Sequence, residues 1–184
     1  LPEDLSGFDE EHQLELTVLK DNMLKNHGYY RVEDGGVQTS VISCDNGIYQ
    51  FVPPADPDSD WEIRTLTTDA ASDAVMVDFD GDGVKEIAAI APFHGEKIRF
   101  YKKVDGAYQM VYEFGEDCEF LHSIYGGTLC GKPAFVTGNR KGKRDLMAFF
   151  YNREKGSYEV EYIDHDCGSA NVYHYVKDGK DMLV

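Results

Sequence analysis

Short apolar and β-branched runs, separated by Gly, Asp, Asn and Pro, recur along the chain, which is the pattern of strands joined by tight turns. Anchoring on the turn glycines makes the recurrence regular. Gly36, Gly83, Gly131 and Gly179 open "GVQTSVIS", "GVKEIAAIA", "GKPAFVTG" and "GKDMLV", at steps of 47, 48 and 48 residues. Each glycine is preceded by a strand-like run, as in "GYYRVEDG" and "SIYGGTLCG". Downstream lie a third run ("GIYQFVPP", "KIRFYKK", "LMAFFYN") and a fourth ("WEIRTLT", "YQMVYEF", "YEVEYID"). Four strands per repeat of about 47 residues are therefore expected.

Antiparallel four-stranded units of this length are the sequence form of β-propeller blades, which stack radially because one meander cannot bury both of its faces. The expectation is an all-β chain, one domain over 1–184. Complete units span 27–67, 72–114 and 120–163, with partial units at 1–19 and 170–184. That count suits part of a larger ring, or a ring completed by a second copy of the chain. A β-sandwich is the alternative fold. At the start, Leu14, Leu16 and Val18 alternate at period two, which favours a strand over an amphipathic helix from Glu10 to Lys25.

Composition narrows the partners. The 184 residues carry 18 basic and 34 acidic side chains, a formal net charge of −16, which disfavours nucleic acid and anionic membrane surfaces. The one basic run, "NRKGKR" from Asn139 to Arg144, lies between strand-like segments and reads as a solvated turn. No apolar stretch is long enough for a membrane span, so a soluble protein is expected, cytoplasmic or secreted. Cys44, Cys118, Cys130 and Cys167 have neither disulfide-framework nor zinc-knuckle spacing and are expected as buried or free thiols.

The densest chemistry is "VDFDGDGVKEI", from Val77 to Ile87. Asp78, Asp80 and Asp82 put carboxylates at alternate positions of a tight loop. Gly81 and Gly83 allow the turn, and Glu86 adds a carboxylate at position nine. Hard oxygen ligands at this density suit Ca²⁺. The twelfth position is Ala89, which excludes an EF-hand. The loop resembles the D-x-D-x-D-G-x-x-[DE] loop of the FG-GAP/VCBS class of propeller repeats. That resemblance implies a calcium site braced within its blade, with the Val84 carbonyl as a further ligand. The corresponding stretches "VEDGGVQTS", "YGGTLCGKPA" and "VKDGKDM" lack the alternating carboxylates, so one site is implied. An ion-free acidic hairpin turn is the alternative.

Histidines mark a second candidate. His27 and His122 each lie nine residues before their turn glycine, Ala74 takes that slot in the acidic repeat, and Asn171 lies eight before Gly179. In a propeller this slot faces the central channel. His27, His122 and His94 are the candidates for catalytic chemistry around a second divalent metal (Zn, Mn or Fe). His27, His122, Asn171, His174, Tyr29 and Tyr125 are the candidate ligand-binding residues. His165 also extends the list of histidines. Ordinary hydrogen-bonded histidines and packing tyrosines are the plainer alternative. The segments "PFHGEKIRFYKK" and "FLHSIYGGTLCGK" are faintly similar to propeller sugar dehydratases and lyases. The expected function is a calcium-stabilised scaffold recognising carbohydrate or protein through a central funnel. The alternative is a metal-dependent sugar lyase or dehydratase.

Overall fold

The structure is a computed structural model that describes residues 4, 6–7, 9 and 16–184. Among the described residues it is all-β and has no helix. Three antiparallel four-stranded meanders follow one another. The first holds β1 (Gly28–Asp34), β2 (Val37–Cys44), β3 (Gly47–Val52) and β4 (Glu62–Thr67). The second holds β5 (Asp73–Val77), β6 (Glu86–Ala91), β7 (Lys97–Val104) and β8 (Ala107–Glu113). The third holds β9 (Leu121–Leu129), β10 (Lys132–Asn139), β11 (Leu146–Asn152) and β12 (Ser157–Asp164). A two-stranded hairpin, β13 (His174–Lys177) and β14 (Lys180–Leu183), closes the chain. These sheets are consistent with propeller blades.

Side-chain alternation explains how the sheets stack. Along β5, Ala74 and Met76 point to a core shared with Val32, Val41 and Ile48 of the first sheet. Val75, between them, points the other way, toward Leu121, Phe135 and Phe149 of the third. In β6, Ile87 and Ala89 share the first of these cores, Ala88 and Ile90 the second. The middle sheet is thus apolar on both faces, which is why "EIAAIA" is a continuous apolar run where a half-exposed strand would alternate. Ala134, Val136 and Ala148 turn the third sheet's other face toward Val172 and Leu183 beside the final hairpin. Between the second and third sheets, Phe100 stacks on Tyr158 with centroids 3.8 Å apart, and Phe79, Phe135 and Phe149 pack around them.

First strands of neighbouring sheets lie against one another, β1 on β5 and β5 on β9. Close approach requires a bare backbone at Gly126, where an added Cβ would fall 2.6 Å from Val75 Cβ. From the far side of β5, the Tyr30 hydroxyl donates to the Gly126 carbonyl at 3.1 Å. Each meander has two ends. The turns joining first to second strands, including the acidic loop between β5 and β6, lie at one. The starts of β1, β5 and β9 and the β6–β7 and β10–β11 turns lie at the other.

The strand expected at Leu14–Val18 does not form where the chain is described, and residues 11–15 lie outside the described residues. Leu16 is 94% exposed and Val18 77%. The following segment is held without a ladder: Asp45 N–H donates to the Leu24 carbonyl, and the Asn46 amide bonds both Leu24 N–H and the Asn22 carbonyl. Those bonds fix Asn22–Leu24 against the β2–β3 turn. All four cysteines are free thiols, Cys44 and Cys118 buried, Cys130 and Cys167 exposed. No helix among the described residues is long and apolar enough to cross a membrane.

Substituting Gly126→Ala is expected to destabilise the fold by about 1–3 kcal/mol through overpacking against Val75. Gly115→Ala, which meets open space, should be neutral. In denaturant titrations, adding Val75→Ala to Gly126→Ala should cost less than the sum of the single changes. Strict additivity would contradict the stacking contact.

Candidate metal centres

Three histidines from three different places in the chain meet at the end of the sheets where β1 and β9 begin. His27 immediately precedes β1, His94 sits in the β6–β7 turn, and His122 is the second residue of β9. Their ring centroids are 5.0, 5.5 and 5.2 Å apart, and one ring nitrogen of each lies within 4.8 Å of the other two. Nitrogens on one tetrahedral ion lie about 3.3 Å apart, from metal–nitrogen bonds of 2.0–2.1 Å, so the 4.8 Å limit bounds a cluster on the scale of a single ion.

Each histidine is held by backbone. His27 N–H donates to the Ser43 carbonyl at 3.2 Å, and Leu121 N–H donates to the Gly95 carbonyl at 3.1 Å, tying the His94 turn to the start of β9. His122 Nδ1 lies 2.6 Å from the Ala170 carbonyl. A carbonyl only accepts, so the proton sits on Nδ1 and the Nε2 lone pair is left free, the usual second contact of a metal-bound imidazole. His94 adopts a left-handed backbone at φ 47° and is followed by Gly95, where a Cβ would come within 2.2 Å of the Ala91 carbonyl oxygen. A left-handed histidine costs roughly 1 kcal/mol, strain of the kind that concentrates at working sites. Its Nε2 is buried without a hydrogen-bond partner. Withdrawal from water lowers its pKa, helped by the charges of His27, His122 and Arg140, so the ring is neutral at neutral pH.

Two phenylalanines wall the cluster. Phe93 stacks on His94 at 4.1 Å, and Phe120 lies 4.6 Å from His94 and parallel to His122 at 6.1 Å. His27 is exposed while His94 and His122 are half-buried, so the cluster opens to solvent on the His27 side.

At the opposite end, the acidic loop brings Asp78, Asp80 and Glu86 together, one carboxylate oxygen of each within 4.8 Å of the others. Asp78 accepts from the N–H groups of Gly81, Asp82 and Gly83, which orients it. Glu86 is 1% exposed. Its Oε2 takes Phe79 N–H at 2.8 Å, and its Oε1 has no hydrogen-bond partner. Burial, reinforced by Asp80 and Asp82, pushes its pKa up to about 7. Asp82 stands apart from that group, and Lys102, from β7, reaches into the loop. Its Nζ contacts Asp80, lies 2.8 Å from Asp82 and 3.7 Å from Glu86. Val84 sits at the exposed rim of the loop.

The other expected ligand residues do not join the histidine cluster. Tyr125 and His174 pair with each other at 3.0 Å, and His174 Nε2–H donates to the Asp181 carboxylate at 2.5 Å, forming a separate chain between the third sheet and the hairpin. Tyr29 lies on the exposed side of β1 with its hydroxyl 3.4 Å from Ser40. Asn171 is exposed; its neighbour Ala170 contributes the carbonyl that anchors His122. His165 pairs with Asp145 at 2.6 Å. In the second sheet, Asp73 pairs with Ile90 as Gly28 pairs with Ser43 and Ser123 with Gly138. The residue before Asp73, equivalent to His27, is therefore Ser72. Ala74 came into that slot by counting because the acidic loop carries two extra residues before its glycine.

Spacing along the chain did not single out Asp73, Phe93, Phe120, Lys102 or the Ala170 carbonyl. The only advance signal was the aromatic beside each of two histidines, in "PFHG" and "FLHS". No family model matches the chain, and no curated protein matches it.

Asp73 begins β5 against the backbone of Gly28, and burial raises its pKa to about 7. Between about pH 4 and about pH 7 the folded chain keeps a proton that the unfolded chain releases. This group's contribution therefore makes stability fall as pH rises through that window. Asp73→Asn should flatten the fall in melting temperature across that range, read by thermal denaturation at matched ionic strength. An unaltered pH profile would show that Asp73 is ionised in the fold.

Proposed function

We propose that this chain is part of a β-propeller whose function resides in a divalent transition-metal centre held by His27, His94 and His122. The observation that carries the reading is the donor set. Three imidazoles converge from three separate segments, one fixed in tautomer by a backbone carbonyl and one with a buried, unpartnered nitrogen. Three protein nitrogens with an open side is the donor pattern of a catalytic rather than a structural zinc site. A metal in such a site supplies Lewis acidity toward a hydroxyl, carbonyl or bound water. The chain's own part is to hold the imidazoles and keep one side, beside His27, open to a ligand. Phe93 and Phe120 shield the other faces from water.

This favours the metal-dependent reading, of the sugar lyase or dehydratase kind, over a passive funnel. The calcium-stabilised scaffold is its complement, because the acidic loop lies at the other end of the second sheet. There the buried Oε1 of Glu86, which accepts no hydrogen bond and lies 3.7 Å from the Lys102 ammonium, supports with Asp78 and Asp80 a Ca²⁺ brace of the FG-GAP/VCBS type. Lys102 occupies that position as an internal cation, so Ca²⁺ binding displaces its ammonium and releases Asp82 toward the ion. Carbohydrate is the proposed ligand class for the histidine end.

Elemental analysis of protein purified without chelator should find near one transition metal per chain, lost in a His27→Ala/His122→Ala double variant. His94→Asn, which tolerates the left-handed backbone, should lose it too. Asp80→Asn should keep that metal and abolish the Ca²⁺-dependent rise in melting temperature. Calcium alone in the native protein would overturn the histidine centre, and a chelator-insensitive melting temperature would overturn the brace.

A further inference from the structure

We propose that the histidine centre takes a carboxylate-bearing ligand, with Arg140 and Lys141 as the side chains that receive its charge. This rests on the metal-centre reading for where the ligand sits and adds the chemical class. The chain carries 34 acidic against 18 basic residues, so a local excess of cations is not expected by chance composition. Yet cations gather at this end. Arg140 lies 5.4 Å and Lys141 5.2 Å from the Phe120 ring centre, and Lys25 lies 5.6 Å from that of Phe93. Those two rings are the walls packed directly on His94.

The placement is built by backbone. Arg140 N–H donates to the Phe120 carbonyl at 3.0 Å and Lys141 N–H to the Glu119 carbonyl at 3.3 Å, so the β10–β11 turn is clamped to the segment leading into His122.

Pairing within the turn is selective. Lys143 is matched by Glu116 at 2.8 Å and Arg144 by Asp166 at 3.3 Å, and Lys25 by Asp45 at 2.9 Å. Arg140 and Lys141 make no ion pair among the described residues, though both are exposed. Glu119, in the segment before β9, packs its carboxylate against Gly142 of the turn. Two uncompensated cations beside three imidazoles make a positive mouth on an acidic molecule. Such a mouth attracts anions and, through the guanidinium fork, favours a planar carboxylate. Neutral sugars gain nothing from it.

The test is calorimetric titration of the native chain, zinc-loaded and chelator-treated, with glucuronate, with glucose and with inorganic phosphate at low salt. Glucuronate should bind, glucose should bind at least tenfold more weakly, and added salt should weaken glucuronate. Arg140→Gln/Lys141→Gln should lose about tenfold in glucuronate affinity with zinc stoichiometry unchanged. Equal binding of glucose and glucuronate, or undiminished glucuronate binding by that double variant, would overturn the proposal. Phosphate binding tighter than glucuronate would overturn the carboxylate class. Failure of zinc to bind, with salt-sensitive glucuronate binding still lost in the double variant, would sink the metal reading and leave the anion site standing.

Discussion

Everything at the histidine end depends on the face-to-face contact of β5 with its two neighbours. Val75 sits against the bare backbone of Gly126, and Tyr30 reaches from the first sheet to the Gly126 carbonyl in the third. A side chain at residue 126 would push the third sheet away from the second by the thickness of a methyl group. A shift of that size is enough to break the meeting of His94, from the second sheet, with His122, from the third. The site is thus a product of inter-sheet packing, and its precision is inherited from two buried apolar cores.

The two ends of the second sheet carry different side-chain chemistry. One carries carboxylates on a glycine-rich loop into which Lys102 reaches, the other imidazoles walled by Phe93 and Phe120. β6, six residues long, separates them by roughly 17–20 Å of strand. An ion at the acidic loop therefore acts on the histidines only through the rigidity of the sheet.

Much of the fold is legible in the sequence. Turn glycines at near-constant steps mark the first hairpin of each sheet, and the apolar run "EIAAIA" foretells a sheet covered on both faces. His27 and His122 were found by position because each belongs to the same place in its own repeat. His94 had no repeat-equivalent partner, since it comes from a different turn and reaches the others only after the sheets stack. Counting failed at Ala74, because the acidic loop's two extra residues displace the strand behind it. Period two failed at Leu16 and Val18, which alternate yet stay exposed, and the chain is tied to Asp45 and Asn46 only further on, at Asn22–Leu24. The run "NRKGKR" is indeed a turn, but what it lies beside is set by the third sheet's return and not by its own composition.

The central claim is that His27, His94 and His122 share one metal ion. X-ray absorption on the zinc-loaded chain tests it most directly. The account predicts three imidazole nitrogens at about 2.0–2.1 Å with at least one further light-atom ligand. A shell with fewer than three imidazoles, or one built from carboxylate oxygens, would contradict it.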